Sequence, residues 1–379
     1  MTILADPTSA SGSPPPTWVI GVDTHTDTHD AALVDALGGV VGQTQVETTP
    51  AGLARLRAWA QTHVPAGQPV LWAVEGSRSH GHGLTRHLRT AGQRVVEAPK
   101  PEAASRRRGG KSDPLDAIHA ARATLAVELA ADDVNADRHA EPRADGVREA
   151  LRMLLVTHRH DTDMRTATVN LFKSLLLGAG DLRETLRGLT TVRQLRTVLA
   201  LPDPDTGTDP GTGTGTGTDV ETRIRIQALR RAATTILDLD KTIKAAENQL
   251  RTLAKQSCPG LLDQPGVGPI VAATLLTTWS HHGRIHNEAA YAALGGISPI
   301  PTGSGRHQRH RLNRGGDRHL NRALHTVITT RRRMKHPPTS NYINRRTTEG
   351  RNPKEILRCL KRYAIRQLYR YLQTNAVTT

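Results

Sequence analysis

The sequence predicts an α/β domain at the amino end, a stretch of long helices, and a mainly helical, strongly basic carboxyl-terminal domain. Three observations predict this. A β-branched run from Trp18 to Val22 ends in Asp23 and then turns polar, as a buried central strand does when it delivers a carboxylate to the end of a sheet. A second run of the same kind, VLWAVEG, closes on Glu75. From about residue 145 onward the apolar residues recur at helical spacing instead.

The first domain can be read element by element. HDAALVDALGGVVGQTQVE sets two alternating runs around Gly38-Gly39, a hairpin signal. Thr48, Thr49 and Pro50 open an amphipathic helix with Leu53, Leu56 and Trp59 on one face. A strand (QPVLWAVE), a helix (GHGLTRHLRTAG), a strand (QRVVEAP), a basic loop (SRRRGGKS) and a helix from Pro114 follow. The order strand, hairpin, helix, strand, helix, strand, helix fits a ribonuclease H-like layout, a mixed sheet with helices on its faces. The first and fourth strands are neighbours in that layout, which would set Asp23 beside Glu75.

Asp113 and Asp116 lie three residues apart in KSDPLDAIHAAR and share a helix face. Each has a bland reading. Asp113 before Pro114 suits an N-cap, and Asp116 suits a first helical turn. Together with Asp23 and Glu75, in this order, the pair reads as a four-carboxylate cluster. Hard divalent cations take oxygen ligands, and in-line phosphoryl displacement uses one ion on the attacking oxygen and one on the leaving oxygen. Two Mg²⁺ ions are expected, with Mn²⁺ as a substitute. Asp27, Asp30 and Asp35 are assigned to the turn or the hairpin and left out of the cluster.

The formal net charge is +16, which points to a polyanionic partner. Its distribution is more telling. Residues 301–370 hold 19 of the 51 Lys and Arg but only 3 of the 35 Asp and Glu, so this block accounts for the whole excess. Segregation of that kind marks a binding face. No apolar run is long enough to span a bilayer, which argues against a membrane partner. Cys258 and Cys359 are too few and too far apart for a disulfide framework or a zinc site, which suits a reducing cytoplasm. The expected organisation is a disordered leader over 1–16, the catalytic α/β domain over 17–144, a helical, coiled-coil region over 145–256 and a carboxyl-terminal domain over 257–379.

In the second part, a helix is expected from about Asp145 to Gly178. His158 and His160 within it are too poorly spaced for a metal pair and read as a solvated or RNA-facing edge. A Thr-Gly tract over 203–219 has no capacity to form a core and reads as an insertion. Next, Leu229, Ile236, Ile243 and Leu250 recur every seventh residue along a second long helix. That stripe suits either an antiparallel hairpin with the preceding long helix or a dimer seam. LLDQPGVGPIVAATLL has the shape helix, hairpin, helix. Gly266 and Gly268 would turn the backbone tightly and present amides to a phosphate. Ser304, between Gly303 and Gly305, reads as a turn residue or as a nucleophile, with a bound metal or His307 as the nearest activating group. Arg106, Arg107, Arg108 and Lys111 of the basic loop, Arg306, Arg309 and Arg311, and the series Arg314, Arg318, Arg322 are expected on phosphates. The basic block lacks aromatics until Tyr342, so backbone and shape contacts are expected in place of base stacking.

These motifs resemble the IS110 family of transposases, the group that includes the IS116 and IS902 types. V-I-G-V-D at Asp23, V-E-G at Glu75 and K-S-D-P-L-D-A at Asp113 and Asp116 are similar to that family's RuvC-like DEDD domain. L-D-Q-P-G-V-G-P, A-A-L-G-G-I-S-P-I-P-T-G-S-G and N-R-G-G-D-R-H-L-N-R-A-L are similar to its carboxyl-terminal transposase domain. The resemblance implies a recombinase that moves its own DNA element with Mg²⁺ on the four acids and a catalytic serine, Ser304, that links covalently to DNA. It also implies a dimer or tetramer joined through the long helices, a structured noncoding guide RNA, and work on the nucleoid. Two features depart from the family pattern, the Thr-Gly tract and His25, where relatives often carry a basic residue soon after the aspartate. A junction-resolving nuclease with the same acids, a non-catalytic nucleic-acid binder, and a nucleophilic Tyr342 are the competing readings.

Overall fold

The structure is a computed structural model that describes residues 18–99, 113–129, 141–202, 220–301, 310–311, 313 and 315–377. The leader expected over 1–16 and the Thr-Gly tract over 203–219 lie outside the described residues. The chain divides into two compact units, Met1–Arg143 and Ala144–Thr379. Among the described residues no helix is long and apolar enough to cross a membrane.

The first unit is a five-stranded mixed sheet. Its strands are β1 (Trp18–Thr24), β2 (Thr28–Val34), β3 (Val40–Glu47), β4 (Val70–Val74) and β5 (Arg94–Glu97), in the order β3-β2-β1-β4-β5. β2 pairs antiparallel with β1 and β3, while β4 pairs parallel with β1 and β5. Gly38, at φ +81°, carries the turn between β2 and β3, where a side chain would be strained. Helices cover both faces of the central strands, which is why β4, and β1 up to Val22, are continuous apolar runs. On one face Ile20, Val22, Leu33, Trp72 and Val74 pack against helix α1 (Pro50–His63) and helix α2 (His82–Thr90). Thr49 caps α1 by accepting from the Gly52 amide, ahead of Pro50 at the first position.

On the opposite face Val19, Val34, Leu71 and Ala73 pack against Ala120, Ala121 and Leu125 of helix α3 (Asp113–Leu129). The fit is close. A Cβ at Gly21 would lie 2.1 Å from the Ala117 carbonyl oxygen and 2.4 Å from the Ala121 amide nitrogen. Further along α3, the Arg122 guanidinium reaches Gly38 at the other end of β1, donating to its carbonyl at 2.9 Å. The helix therefore runs antiparallel to β1, and its first turn enters over the carboxyl end of that strand.

The second unit is helical. α4 (Val147–Leu177) and α7 (Val220–Ser257) form an antiparallel hairpin. Leu151 and Leu155 meet Leu250 and Ala254 at one end, and Phe172 and Leu176 meet Leu229, Ala233 and Ile236 at the other. Of the two arrangements open to the heptad stripe of α7, the intrachain hairpin is the one formed. α5 (Asp181–Thr185) and α6 (Thr191–Ala200) complete the far end, with Leu195 and Val198 buried beside α7. His158 is turned toward α7, with its Nε2 3.5 Å from Glu247, so it is not the solvated edge residue that its spacing suggested; His160 is exposed. Around the other end, α8 (Pro269–Trp279) is the buried centre of a bundle with α9 (Glu288–Leu294), α10 (Arg318–Arg333), α11 (Pro337–Thr348) and α12 (Pro353–Asn375). Tyr291 is wholly buried there and donates to the Leu275 carbonyl at 2.9 Å.

The contact at Gly21 has a direct consequence. Gly21→Ala forces α3 away from the sheet and is expected to cost about 1–3 kcal/mol of stability, read as a lower midpoint of urea unfolding. An unchanged midpoint would mean that α3 is not seated on β1 as described.

Candidate functional site

The parallel register between β1 and β4 places the first two acids. Val22 pairs with Val74, and the Glu75 amide donates to the Val22 carbonyl at 2.9 Å, so Glu75 follows beside Asp23 at the same end of neighbouring strands. The Thr24 hydroxyl donates to the Glu75 carbonyl at 2.8 Å and fastens that end. The Ser77 hydroxyl donates to the Glu97 carboxylate and ties the following turn to β5. Alternation puts Asp23 on the same face as Val19 and Gly21, the face that α3 covers. The first turn of α3, with Asp113 and Asp116, lies over this same end, because Ala117 one residue later is already against Gly21.

The side chain of Asp113 lies outside the described residues; Asp116 is half-buried. Asp23 is 8% exposed, and His25 Nε2 stands 3.2 Å from its Oδ2. The neighbour that departs from the family pattern thus sits against the first acid. Among the described residues, no three His, Cys, Asp or Glu side chains converge closely enough to hold a metal ion. Chemically the donor set fits one, since every member offers only carboxylate oxygens and a hard divalent cation takes oxygen.

One further acid belongs here. Asp30, set aside in the sequence reading as a hairpin residue, pairs directly across β1–β2 with Asp23 and is 5% exposed. Its carboxylate accepts from Gln45 Nε2 at 3.1 and 3.2 Å. Two buried carboxylates opposite each other break the usual rule that like charges avoid facing positions. Residues directly opposite in an antiparallel pair point to one face, so Asp30 shares the face of Asp23.

In the second unit β6 (Ile300–Pro301) and β7 (His310–Arg311) pair antiparallel and flank the segment that carries Ser304. Ser304, Arg306, His307, Arg309 and Arg314 lie outside the described residues, as do the side chain of Arg311 and the basic-loop residues Arg106, Arg107, Arg108 and Lys111. Arg318 and Arg322 are exposed on α10, whose amino end is capped by Asp317. The helix-hairpin-helix expectation needs amending. Only a three-residue 3₁₀ turn, Leu261–Asp263, precedes the P-G-V-G turn, since Gly260 and Pro265 bracket it too tightly for a helix. Gly266 has φ +83°, and a Cβ there would lie 2.7 Å from the Val327 carbonyl of α10. Arg331 of α10 braces the same turn. It is 5% exposed, its Nε donates to the Pro265 carbonyl at 2.8 Å, and burial lowers its pKa. Gly268 instead faces open space and opens α8 with Pro269 at the first position.

A RuvC/ribonuclease H-like mixed sheet joined to a helical region defines the class of fold. Residues 20–180 match the DEDD-type IS110 transposase model, and residues 258–344 match the model described as the transposase IS116/IS110/IS902 family. No curated protein matches the chain. The two matches cover about two thirds of the sequence, and the chain belongs to the IS110 family of transposases. It is accordingly a DNA transposase/recombinase, and DNA is its partner.

The two glycines of the turn should respond differently to alanine. Gly266→Ala meets both the positive φ and the α10 backbone and is expected to cost about 1–3 kcal/mol. Gly268→Ala should stay within about 0.5 kcal/mol of the parent. Thermal unfolding of the two variants checks this, and equal midpoints would contradict the docking of the turn on α10.

Proposed function

We propose that the protein cuts and rejoins DNA strands by divalent-metal-dependent phosphoryl transfer, with Asp23, Glu75, Asp113 and Asp116 as metal ligands and Ser304 as nucleophile. The observation that carries this reading is the β1–β4 register, with Glu75 hydrogen-bonded through its amide to the residue before Asp23, beneath the α3 turn that bears the other two acids. Mg²⁺ ions, two in number, would neutralise the phosphate and support the attacking and leaving oxygens. The Ser304 Oγ forms a new bond to phosphorus, one ester bond of the strand breaks, and the departing strand hydroxyl leaves with the proton. Rejoining is the reverse attack by a strand hydroxyl, which releases the serine.

Target choice is assigned to a structured noncoding RNA that pairs with DNA. Its support is a basic carboxyl-terminal block without a base-reading motif, so that the protein holds backbones while pairing reads sequence. Self-association as a dimer or tetramer is supported by α4. Met153, Val156, Met164 and Leu171 are exposed at helical spacing on its outer side, away from the stripe buried against α7. Such a stripe belongs under a partner copy.

Four measurements test the assignment. Asp23→Asn, Glu75→Gln, Asp113→Asn and Asp116→Asn should each lower strand cleavage by about 100-fold or more and abolish the thermal stabilisation of the parent by Mg²⁺. Ser304→Ala should keep that stabilisation but lose the covalent protein–DNA species seen on a denaturing gel. Full cleavage by the Ser304→Ala variant would leave a metal-dependent nuclease, and full element mobility without Asp23 and Glu75 would remove the acids from the chemistry.

A further inference from the structure

The carboxyl-terminal helix α12 carries two parallel rows at four-residue spacing, positions that adjoin along a helix face. One row is Arg362, Arg366 and Arg370; the other is Tyr363, Gln367 and Tyr371. Residues of both rows, together with Gln264 beside the P-G-V-G turn, line an open groove of about 440 Å³. α12 lies beyond both segments matched by the family models.

The arginine row shares one carboxylate. Arg366 Nε lies 2.7 Å from Glu288 Oε1, Arg362 Nη2 3.5 Å from the same oxygen, and Arg370 Nε 3.6 Å from Oε2. A single negative charge holds the row in place without neutralising it, and Arg370 remains 72% exposed. The aromatic row is braced as well. Tyr363 is 53% exposed, yet its ring meets Tyr342 edge to face at 5.4 Å, and Arg345 stands over the Tyr342 ring. Tyr371 is anchored through its hydroxyl, which donates to the Pro259 carbonyl at 2.9 Å. Between the rings, Gln367 Nε2 donates to Gln264 Oε1 at 3.3 Å, which uses one amide hydrogen of Gln367 and none of Gln264. Tyr291 and Tyr369 lie in the core and Tyr342 and Tyr371 pack partly against it, whereas the Tyr363 ring stands outside it.

We propose that this groove binds an unpaired nucleotide of a DNA strand, with the base on Tyr363, the base edge on the Gln264–Gln367 amides and the phosphates on Arg366 and Arg370. A rigid exposed ring beside guanidiniums is the arrangement that holds single strands, because every base offers a π-face whatever its identity. A paired base has both faces covered by its neighbours and cannot use the ring. The strand is DNA because the proposal rests on the chain's membership of a DNA-transposing family. It departs from the expectation of contacts to backbone and shape alone: helical spacing brings together tyrosines that are dispersed in the sequence.

The test is fluorescence anisotropy with the full-length protein and a labelled single-stranded DNA, a duplex of the same sequence and the matching RNA, without metal and in a Ser304→Ala background. Binding is thereby read independently of cleavage, and failure of the serine chemistry leaves it intact. Tyr363→Ala should weaken single-strand binding by about tenfold, with duplex affinity unchanged and Tyr363→Phe restoring the parent value. Arg370→Gln, at an exposed position, should weaken binding and lower the slope of log affinity against log salt by about 1. Equal losses on duplex and single strand, no loss at all, or a loss confined to the RNA would each overturn the proposal.

Discussion

The parallel pairing of β1 with β4 is the constraint on which the rest of the first unit depends. A parallel pair cannot be closed by a short turn, so the chain must make a hairpin and a helix before it returns beside its first strand. That detour brings Glu75, 52 positions beyond Asp23 in sequence, into a backbone hydrogen bond with Val22, the residue before Asp23. The register leaves little freedom, because a slip of one residue would turn Glu75 to the face covered by α1 and α2. Gly21 adds the second fixed point. Only a residue without a Cβ admits the α3 backbone so close to β1, and the close seat carries the first turn of α3 over the strand ends. Strand register and one absent methyl group together decide where Asp23 and Glu75 lie and where the first turn of α3 is seated.

Burial at this end runs against stability. Asp23 and Asp30 face each other across two strands with hardly any solvent access, in a sheet whose buried positions are mostly Val, Ile, Leu and Ala. Carboxylates in such a place cost free energy unless something positive or a donor accompanies them. Gln45 supplies a donor to Asp30, and His25 stands against Asp23. A fold that needed only a core would place apolar residues at both positions. Acids at the end of a central strand, where backbone positions are tightly fixed, are what a charge-binding site requires.

Much of this was legible in the sequence, and the reason is periodicity. Continuous apolar runs announced the strands buried on both faces, the Gly38-Gly39 pair announced the hairpin, and Thr49-Pro50 announced the start of α1. The heptad of α7 announced a packed stripe, though not its partner. Antiparallel α4 and a second copy present the same apolar surface to such a stripe, and only the structure shows Phe172 and Leu176 against Leu229 and Ile236. Asp30 was discounted because an acid near a turn is normally a turn residue. Its pairing with Asp23 depends on where the turn begins, which propensity locates only to within a residue or two. His158 misled for a related reason, since spacing gives the face of a helix but not which helix covers it.

The same logic separates charge from flat apolar surface in the second unit. The charge of the basic block is a property of composition and was visible at once, as were Arg318 and Arg322 on the exposed side of α10. Charge alone recognises any polyanion, single or double, and does so through phosphates. Discrimination between paired and unpaired strands needs flat apolar surface held at a fixed height beside the charge. Tyr363 gains that from Tyr342, which lies 21 positions earlier on a different helix. Neither tyrosine is informative by itself, because an exposed aromatic on a flexible surface loses on ordering much of what stacking would gain. The edge-to-face contact removes that loss in advance, as Glu288 does for the arginines beside it. Preorganisation of this kind is a tertiary property. A row of guanidiniums and a row of rings on one helix become a site for a strand only because α9 and α11 hold them still.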